Sequence, residues 1–454
     1  MKIQKLIAVS AGQYLHKKET NPIKKHIRYL NYGLLGLVTM LHDTLGMDVV
    51  MAQGDNYFPD EFLERLEGRG IRMDDIDAVL LSVPSYYSVS WCAEFCRIIK
   101  EKYNKEIIVG GRWVVDNNTE WVKKKLKYVD CIIEGFGERK LAELFSPERA
   151  HLIPDGTTEC FKHLNYELLL DSQFYQPSIE ISRGCGSGCL FCADMANKRL
   201  ANASVEGVIS EMEYLDKIYG DYSVYLEAPH FCFNREWCDE FARAIGTREK
   251  RIPWRCTTRV ESVPTEMIKT LASSGLKILD IGMESASSEQ LIRMNKTKNP
   301  EKYLNKVVEI LKECDKHDVW VKLNVLLYAG ETEETIQQTK DWLNEYKHLI
   351  KGISVSSLVY YKGAGDINEL ISQGARVPKG HDVEELGYVD LDLSDEISLA
   401  QAKEHALSLS RMVMTKKDYY DIKSISYFER GYTYENFLEE VATCDKRLLP
   451  FDTN

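Results

Sequence analysis

The sequence predicts an α/β protein in which two parallel-strand domains precede a mainly helical tail, and three observations carry that expectation. Over residues 1–146 short apolar runs alternate with amphipathic stretches. Between about Gln176 and Gly365 the alternation repeats six more times. Strand ends in the first half run into glycine turns, Gly110-Gly111 and Gly135-Phe136-Gly137. Alternation of this kind builds parallel sheets flanked by helices. The first part therefore reads as a doubly wound, Rossmann-like domain. The second reads as a partial (β/α)6 barrel, because six repeats fall short of an eight-stranded closure.

In order, Leu6–Val9, Val49–Ala52, Ala78–Leu81, Ile107–Val109 and Cys131–Ile133 are the expected strands of the first domain. Gly33–Leu45, Trp91–Tyr103 and Trp121–Leu126 carry apolar residues three and four apart, the spacing of a helix face. Residues 147–174, with Pro147, Pro154 and Gly156, read as a linker. Strands near Ser178–Ser182, Val224–Glu227, Trp254–Thr258, Ile278–Ile281, Val319–Tyr328 and Ile353–Tyr360 would form the barrel, placing the second domain at 175–365. From 366 to 454 the pattern changes: Val383–Leu393 reads as an acidic loop, Glu396–Met412 as a helix, and Tyr419–Val441 as an aromatic-rich segment able to form core or wall a pocket.

Composition narrows the function classes. The chain has 454 residues, 44% of them apolar, enough for ordinary globular cores. A net charge of −12 argues against nucleic acid or an anionic membrane as the main partner. Twelve cysteines and an N-terminus that reads as a first strand, rather than a signal peptide, suit a reducing, cytoplasmic setting. The longest apolar stretch, Tyr32–Ala52, is broken by His42, Asp43 and Asp48, and falls short of a membrane span.

The most informative stretch is Ser182-Arg183-Gly184-Cys185-Gly186-Ser187-Gly188-Cys189-Leu190-Phe191-Cys192, three thiols spaced C-x3-C-x2-C behind a strand. Cys185, Cys189 and Cys192 are candidate metal ligands. Structural zinc takes four protein ligands, whereas an iron–sulfur cluster on three cysteines keeps one iron open. A zinc knuckle completed by Cys232, Cys238, Cys256, His230 or His163 is the competing reading. The glycines let the backbone wrap closely, and Phe191 offers a flat apolar face beside the metal.

The cysteine motif, with an aromatic before its last cysteine and Ser-Arg-Gly ahead of it, resembles the radical S-adenosylmethionine (SAM) superfamily. That resemblance implies a [4Fe-4S] cluster whose fourth iron chelates SAM, and an electron donor of the flavodoxin or ferredoxin type. "YGLLGLVTML", the strand ending in Gly110-Gly111 and "EGFGERKLAEL" resemble the cobalamin-binding domain that precedes many radical SAM domains. By that likeness Gly110, Gly111, Gly135 and Gly137 border cobalamin, and the loop Ser85-Tyr86-Tyr87 lies under cobalt. In the barrel the resemblance assigns Glu227 to the amino group of SAM and gives cofactor-binding roles to Arg259, Glu284 and Ser285 in "IGMES", and Asn324. Gly330, in "YAGETEET", would permit close approach by adenine.

Two features depart from the pattern. There is no Asp-x-His-x-x-Gly motif to supply a histidine to cobalt, and residues 10–31 form a lysine-rich excursion at the ligand edge of the sheet. The function implied is a cobalamin-dependent (class B) radical SAM enzyme, a C-methyltransferase for a small-molecule or peptide substrate. A radical SAM cyclase, rearrangement or epimerisation enzyme, and a non-catalytic metal-binding scaffold, are the alternatives.

Overall fold

The computed structural model describes residues 4–14, 22–192, 201–231 and 234–453. Part of the 10–31 excursion and the candidate ligand Cys232 lie outside them. Strands β1 (Lys5–Ser10), β2 (Asp48–Gln53), β3 (Ala78–Ser82), β4 (Glu106–Gly110) and β5 (Cys131–Ile132) form one parallel sheet in the order β2-β1-β3-β4-β5. Parallel strands covered on both faces read as unbroken apolar runs, and Leu6 to Val9 are fully buried. Alternate residues serve opposite faces. Leu6 and Ala8 pack with Leu35 and Val38 of the helix Tyr32–Thr39, whereas Ile7 and Val9 pack with Phe62, Trp91 and Phe95. Strand order reverses between β1 and β3, the position at which an open sheet parts its C-terminal loops and binds ligands.

Residues 147–174 are more than a connector. Leu170 N–H donates to the Met51 carbonyl at the edge of the first sheet, and the buried Tyr166 hydroxyl bonds both backbone groups of Ser178. They carry the chain into β6 (Ser178–Glu180), followed by the short antiparallel pair β7 (Ser182–Arg183) and β8 (Ala201–Asn202). Strands β9 (Val224–Glu227), β10 (Trp254–Thr258), β11 (Leu276–Glu284), β12 (Trp320–Leu327) and β13 (Gly352–Ser357) complete a six-stranded parallel sheet in the order β13-β12-β11-β10-β9-β6. Its two faces differ in chemistry. Val224, Leu226, Trp254, Cys256, Val321 and Leu323 are buried under the helices. Tyr225, Glu227, Arg255, Thr257, Asp280, Lys322 and Asn324 alternate with them on the concave face.

The tail differs from expectation in one place. Within Val383–Leu393, Tyr388–Asp390 forms a strand, β15, antiparallel to β14 (Val359–Tyr361). The pairing is non-local, so no pattern within the segment announces it. Helices Leu399–Val413, Lys416–Ser426 and Tyr434–Thr443 each begin at a capping box, with Ser398, Thr415 and Thr433 at the caps. The tail aromatics form core: Tyr419, Phe428, Phe437 and Phe451 are buried against one another. Helix Lys416–Ser426 crosses the N-terminal ends of the barrel strands. Ile422 sits against Gly352, Ser223 Oγ donates to the Ile425 carbonyl, and Arg255 Nη1 donates to Ser426 Oγ at 3.1 Å. Among the described residues no helix is long and apolar enough to cross a membrane.

Candidate functional site

The C-terminal ends of both sheets open onto one cleft of about 830 Å³. Ser10, Ser82, Gly110 and Gly111 line it from the first sheet, Glu180, Ser182–Gly184 and Glu227–Pro229 from the barrel, and Gly135 to Glu138 close it at one end. Asn31 organises the switch point. Its Nδ2 donates to Ser10 Oγ and Ser82 Oγ at 3.0 and 3.1 Å, while its Oδ1 caps the helix Tyr32–Thr39 through Leu34 N–H. Tyr29 and Trp113 present large aromatic faces to the cleft, 56% and 49% exposed. Next to Tyr29, Arg28 pairs with Asp55, whose Oδ2 also accepts from the Tyr175 hydroxyl at 2.8 Å.

Arg183 joins the two halves directly in front of the cysteine loop. Its Nε and Nη2 grip Glu180 at 2.9 Å each, and its Nη1 reaches Glu138 Oε1 and the Gly156 carbonyl at 2.7 Å. The guanidinium lies between the rings of Phe136 and Phe161, 5.2 and 4.5 Å from their centres. All three charged side chains are at most 8% exposed. Burial drives the Glu180 carboxyl above the usual carboxylate range, against the pull of Arg183.

Beyond Arg183 the backbone takes positive φ at Gly184, Gly186 and Gly188 (72°, 75° and 67°), a conformation glycine reaches without strain. Asn295 Nδ2 holds the Gly188 carbonyl at 2.8 Å, and Leu190 N–H donates to the Met294 carbonyl. Cys189 Sγ accepts from Arg259 Nη1 at 2.9 Å; Cys185 Sγ lies 3.0 Å from Ser187 Oγ and 4.0 Å from His230 Nδ1. Phe191 packs edge-on against Tyr328, with the Lys296 ammonium 5.8 Å from its ring centre. No disulfide engages these thiols. Among the described residues no three histidine, cysteine or acidic side chains converge into a preformed metal site. The donor set nevertheless fits a cluster: three soft thiols on one glycine-wrapped loop, with a guanidinium placed to offset negative charge.

The other expected residues divide. Glu227 is half-buried, lines the cleft and accepts from Ser178 Oγ at 2.9 Å; burial lifts its pKa to about 7. Glu284 takes positive φ (68°) at a register shift in β11 and accepts from Lys296 Nζ at 2.9 Å. Asn324 stands on the concave face, its Oδ1 3.0 Å from Lys322 Nζ. Gly110, Gly111, Gly135 and Gly137 all line the cleft. Gly111 has a second duty, since a Cβ there would come within 2.4 Å of the Val83 carbonyl.

Four expected residues have partners within the protein itself. Tyr86 is buried away from the cleft, its hydroxyl donating to the Lys362 carbonyl and its ring against Trp121 and Tyr361; Ser85 Oγ is taken by Gln13 Nε2 at 3.0 Å. Gly330 makes room for the protein's own chain, because a Cβ would meet the Arg293 guanidinium and the Gln373 carbonyl. Ser285, 1% exposed, bonds Thr339 Oγ1 and Ser287 N–H, which is a structural task. Asn31 and Lys296 went unnoticed in the sequence, and Arg183 was noted only as part of the cysteine motif. Only Arg183, inside the cysteine motif, carried a local signal.

The radical SAM superfamily signature matches residues 179–343, from β6 through most of the helix Glu333–Tyr346. Residues 179–343 thus carry a radical SAM domain. A domain of this family implies a [4Fe-4S] cluster and SAM as cofactors. The chain is 26% identical over 294 residues to an uncharacterised methyltransferase of Pyrococcus horikoshii, covering 58% of this chain and 63% of that relative. It is 23% identical over 261 residues to the ribosomal protein uS12 methylthiotransferase RimO of Thermotoga maritima, covering 54% and 58%. The chain thus spans about three fifths of the length of these curated relatives. Among solved structures it is similar to TsrM of Kitasatospora setae, a radical SAM methyltransferase with cobalamin and a [4Fe-4S] cluster bound (TM-score 0.61, 15% identity, 78% of this chain and 72% of that chain). It is also similar to the cobalamin-dependent radical SAM enzyme OxsB with aqua-cobalamin bound (TM-score 0.64, 15% identity, 92% and 67%). At such identities the likeness is one of fold.

Proposed function

We propose that this radical SAM enzyme is a cobalamin-dependent methyltransferase acting on an unactivated carbon of a small-molecule or peptide substrate. The observation that carries the reading is the shared cleft, into which the switch point of the first sheet and the cysteine end of the barrel both open. When bound, the cluster with SAM supplies a hydrogen-abstracting radical, and cobalamin a transferable methyl group. Cys185, Cys189 and Cys192 would hold the cluster, and the turns at Gly110-Gly111 and Gly135–Gly137 would border cobalamin. The fit of the latter rests on a lining that mixes apolar side chains (Leu34, Leu37, Leu80, Ile133) with amides and hydroxyls (Gln13, Asn31, Gln53, Ser82). Among the described residues no histidine lines the cleft.

The chain's own residues prepare the chamber. Arg259 places positive charge beside a ligand sulfur. Glu227, with a pKa of about 7, gains from an ammonium group beside it, which suits the amino group of SAM. Phe161, Tyr29 and Trp113 displace water from the cleft walls. The test is anaerobic purification with cobalamin supplied, then metal analysis and turnover with SAM and reductant. About four irons per chain together with cobalt, and release of both 5'-deoxyadenosine and S-adenosylhomocysteine, are expected. Iron without cobalt withdraws the methyltransferase reading. Deoxyadenosine without S-adenosylhomocysteine favours a cyclisation, rearrangement or epimerisation.

A further inference from the structure

Cations gather at the floor of the barrel. Arg255, Asp280 and Lys322 share that face below Glu227 and Asn324. Asp280 spends one oxygen on Arg255, 2.6 Å from Nη2, and the other on Lys322, 3.1 Å from Nζ. A further cation comes from the helix Lys416–Ser426 beneath. Lys423 projects between the rings of Tyr419 and Tyr427, its ammonium 5.3 and 4.9 Å from their centres. Lys25, from the N-terminal excursion, approaches Tyr427 at 4.7 Å. The charges acting on Lys423 are Lys25, Lys322 and Arg255, opposed by Asp280, which is already engaged. Among the described residues no carboxylate stands within ion-pair distance of Lys423.

We infer that the floor of the barrel is an anion-binding subsite, in which Lys423, with Lys322 and Lys25 beside it, receives a carboxylate or phosphate group of the substrate. Calling the bound anion substrate rests on the proposed function, in which the barrel is the reaction chamber; the binding itself does not. Lys423 is half-buried, and an ammonium withdrawn from water without a counter-charge is costly. Burial first, and the neighbouring cations second, hold the Lys423 amine well below its ordinary range. An anion reverses that balance, so its binding takes up a proton and weakens as pH rises. Tyr225, Glu227 and Thr257, on the same concave face, line the cleft.

Site-resolved reductive methylation of the anaerobically reconstituted enzyme, read by mass spectrometry, tests this without turnover. Lys423 is expected to react readily at neutral pH. Acetate or phosphate should slow its reaction severalfold, up to about tenfold for a rise of one pKa unit, and leave the exposed Lys124 unaffected. Greater protection by phosphate assigns a phosphate, and greater protection by acetate a carboxylate. Lys25 serves as reporter in variants: Lys423→Arg should retain its protection by the anion and Lys423→Met should lose it. Equal labelling of Lys423 with and without these anions, or equal protection by chloride at the same ionic strength, would overturn the subsite. Neither result depends on cobalt content or methyl transfer, so the two proposals fail separately.

Discussion

A carboxyl whose pKa rises on folding favours the folded state below its unfolded value, near 4.5, and that contribution is lost as pH climbs through the folded value. For Glu227 the folded value is about 7, set chiefly by burial, with the Ser178 hydrogen bond and Arg255 opposing. Glu227→Gln should therefore match the wild type near about pH 5 and exceed it near about pH 8, by at most roughly 3 kcal/mol. Thermal unfolding across that range checks the sign, and weaker SAM binding by the variant checks the role. Arg259 offers a second test. Its guanidinium, 2.9 Å from Cys189 Sγ, stabilises added negative charge. Arg259→Met should keep iron but shift the cluster potential negative by on the order of tens of millivolts. A redox titration followed by electron paramagnetic resonance reads the shift, and an unchanged potential would restrict Arg259 to packing.

At the scale of elements, the turn after β4 holds a more severe constraint than its neighbours. Gly111 has φ of 128° with the Val83 carbonyl directly over its missing Cβ. Gly111→Ala should cost on the order of 2–3 kcal/mol, whereas Gly68→Ala, with open space at the end of the helix Pro59–Gly68, should gain up to about 1 kcal/mol. Urea unfolding of both variants separates conformational strain from a general effect of added methyl groups. The same scale shows what the sequence made legible. The strands of both sheets were readable because buried parallel strands leave continuous apolar runs, and the helices because one face repeats every three or four residues. Strand β15 was not readable, since its partner β14 lies elsewhere in the chain. Tyr86 and Gly330 sit in turns whose glycines and aromatics suit a ligand equally well, and tertiary contacts with residues 362 and 373 decided their use.

At the scale of the molecule, the halves are not independent. One continuous core runs from Leu6 and Leu35 through the barrel to Phe451, and Arg183 ties Glu138 of the first half to Glu180 of the second in a buried network. Removing one member strands charge in the interior, so Arg183→Ala should cost about 3–5 kcal/mol. Denaturant titration of the apo chain measures that cost. Residues 1–146 expressed alone should aggregate or remain partly unfolded, because the face carrying Leu35 and Val38 loses its cover; a stable, cooperatively unfolding fragment would contradict this. The boundary expected near residue 146 rests on proline and glycine alone. The sequence carries no sign that the connector itself is core, because Leu164, Tyr166 and Leu169 are too sparse to show a period.

The helix Lys416–Ser426 has a consequence for how such a protein can change. Six strands leave the barrel unfinished, and its base is supplied by a segment from the far end of the chain, resting on Gly352, Ser223 and Arg255. The thiol loop and the switch point lie at the opposite end. Chemistry and capacity are therefore encoded in separate stretches of sequence. Exchanging the tail resizes or recharges the vessel while the machinery at its rim stays in place, so divergence among relatives with the same rim should concentrate after residue 366.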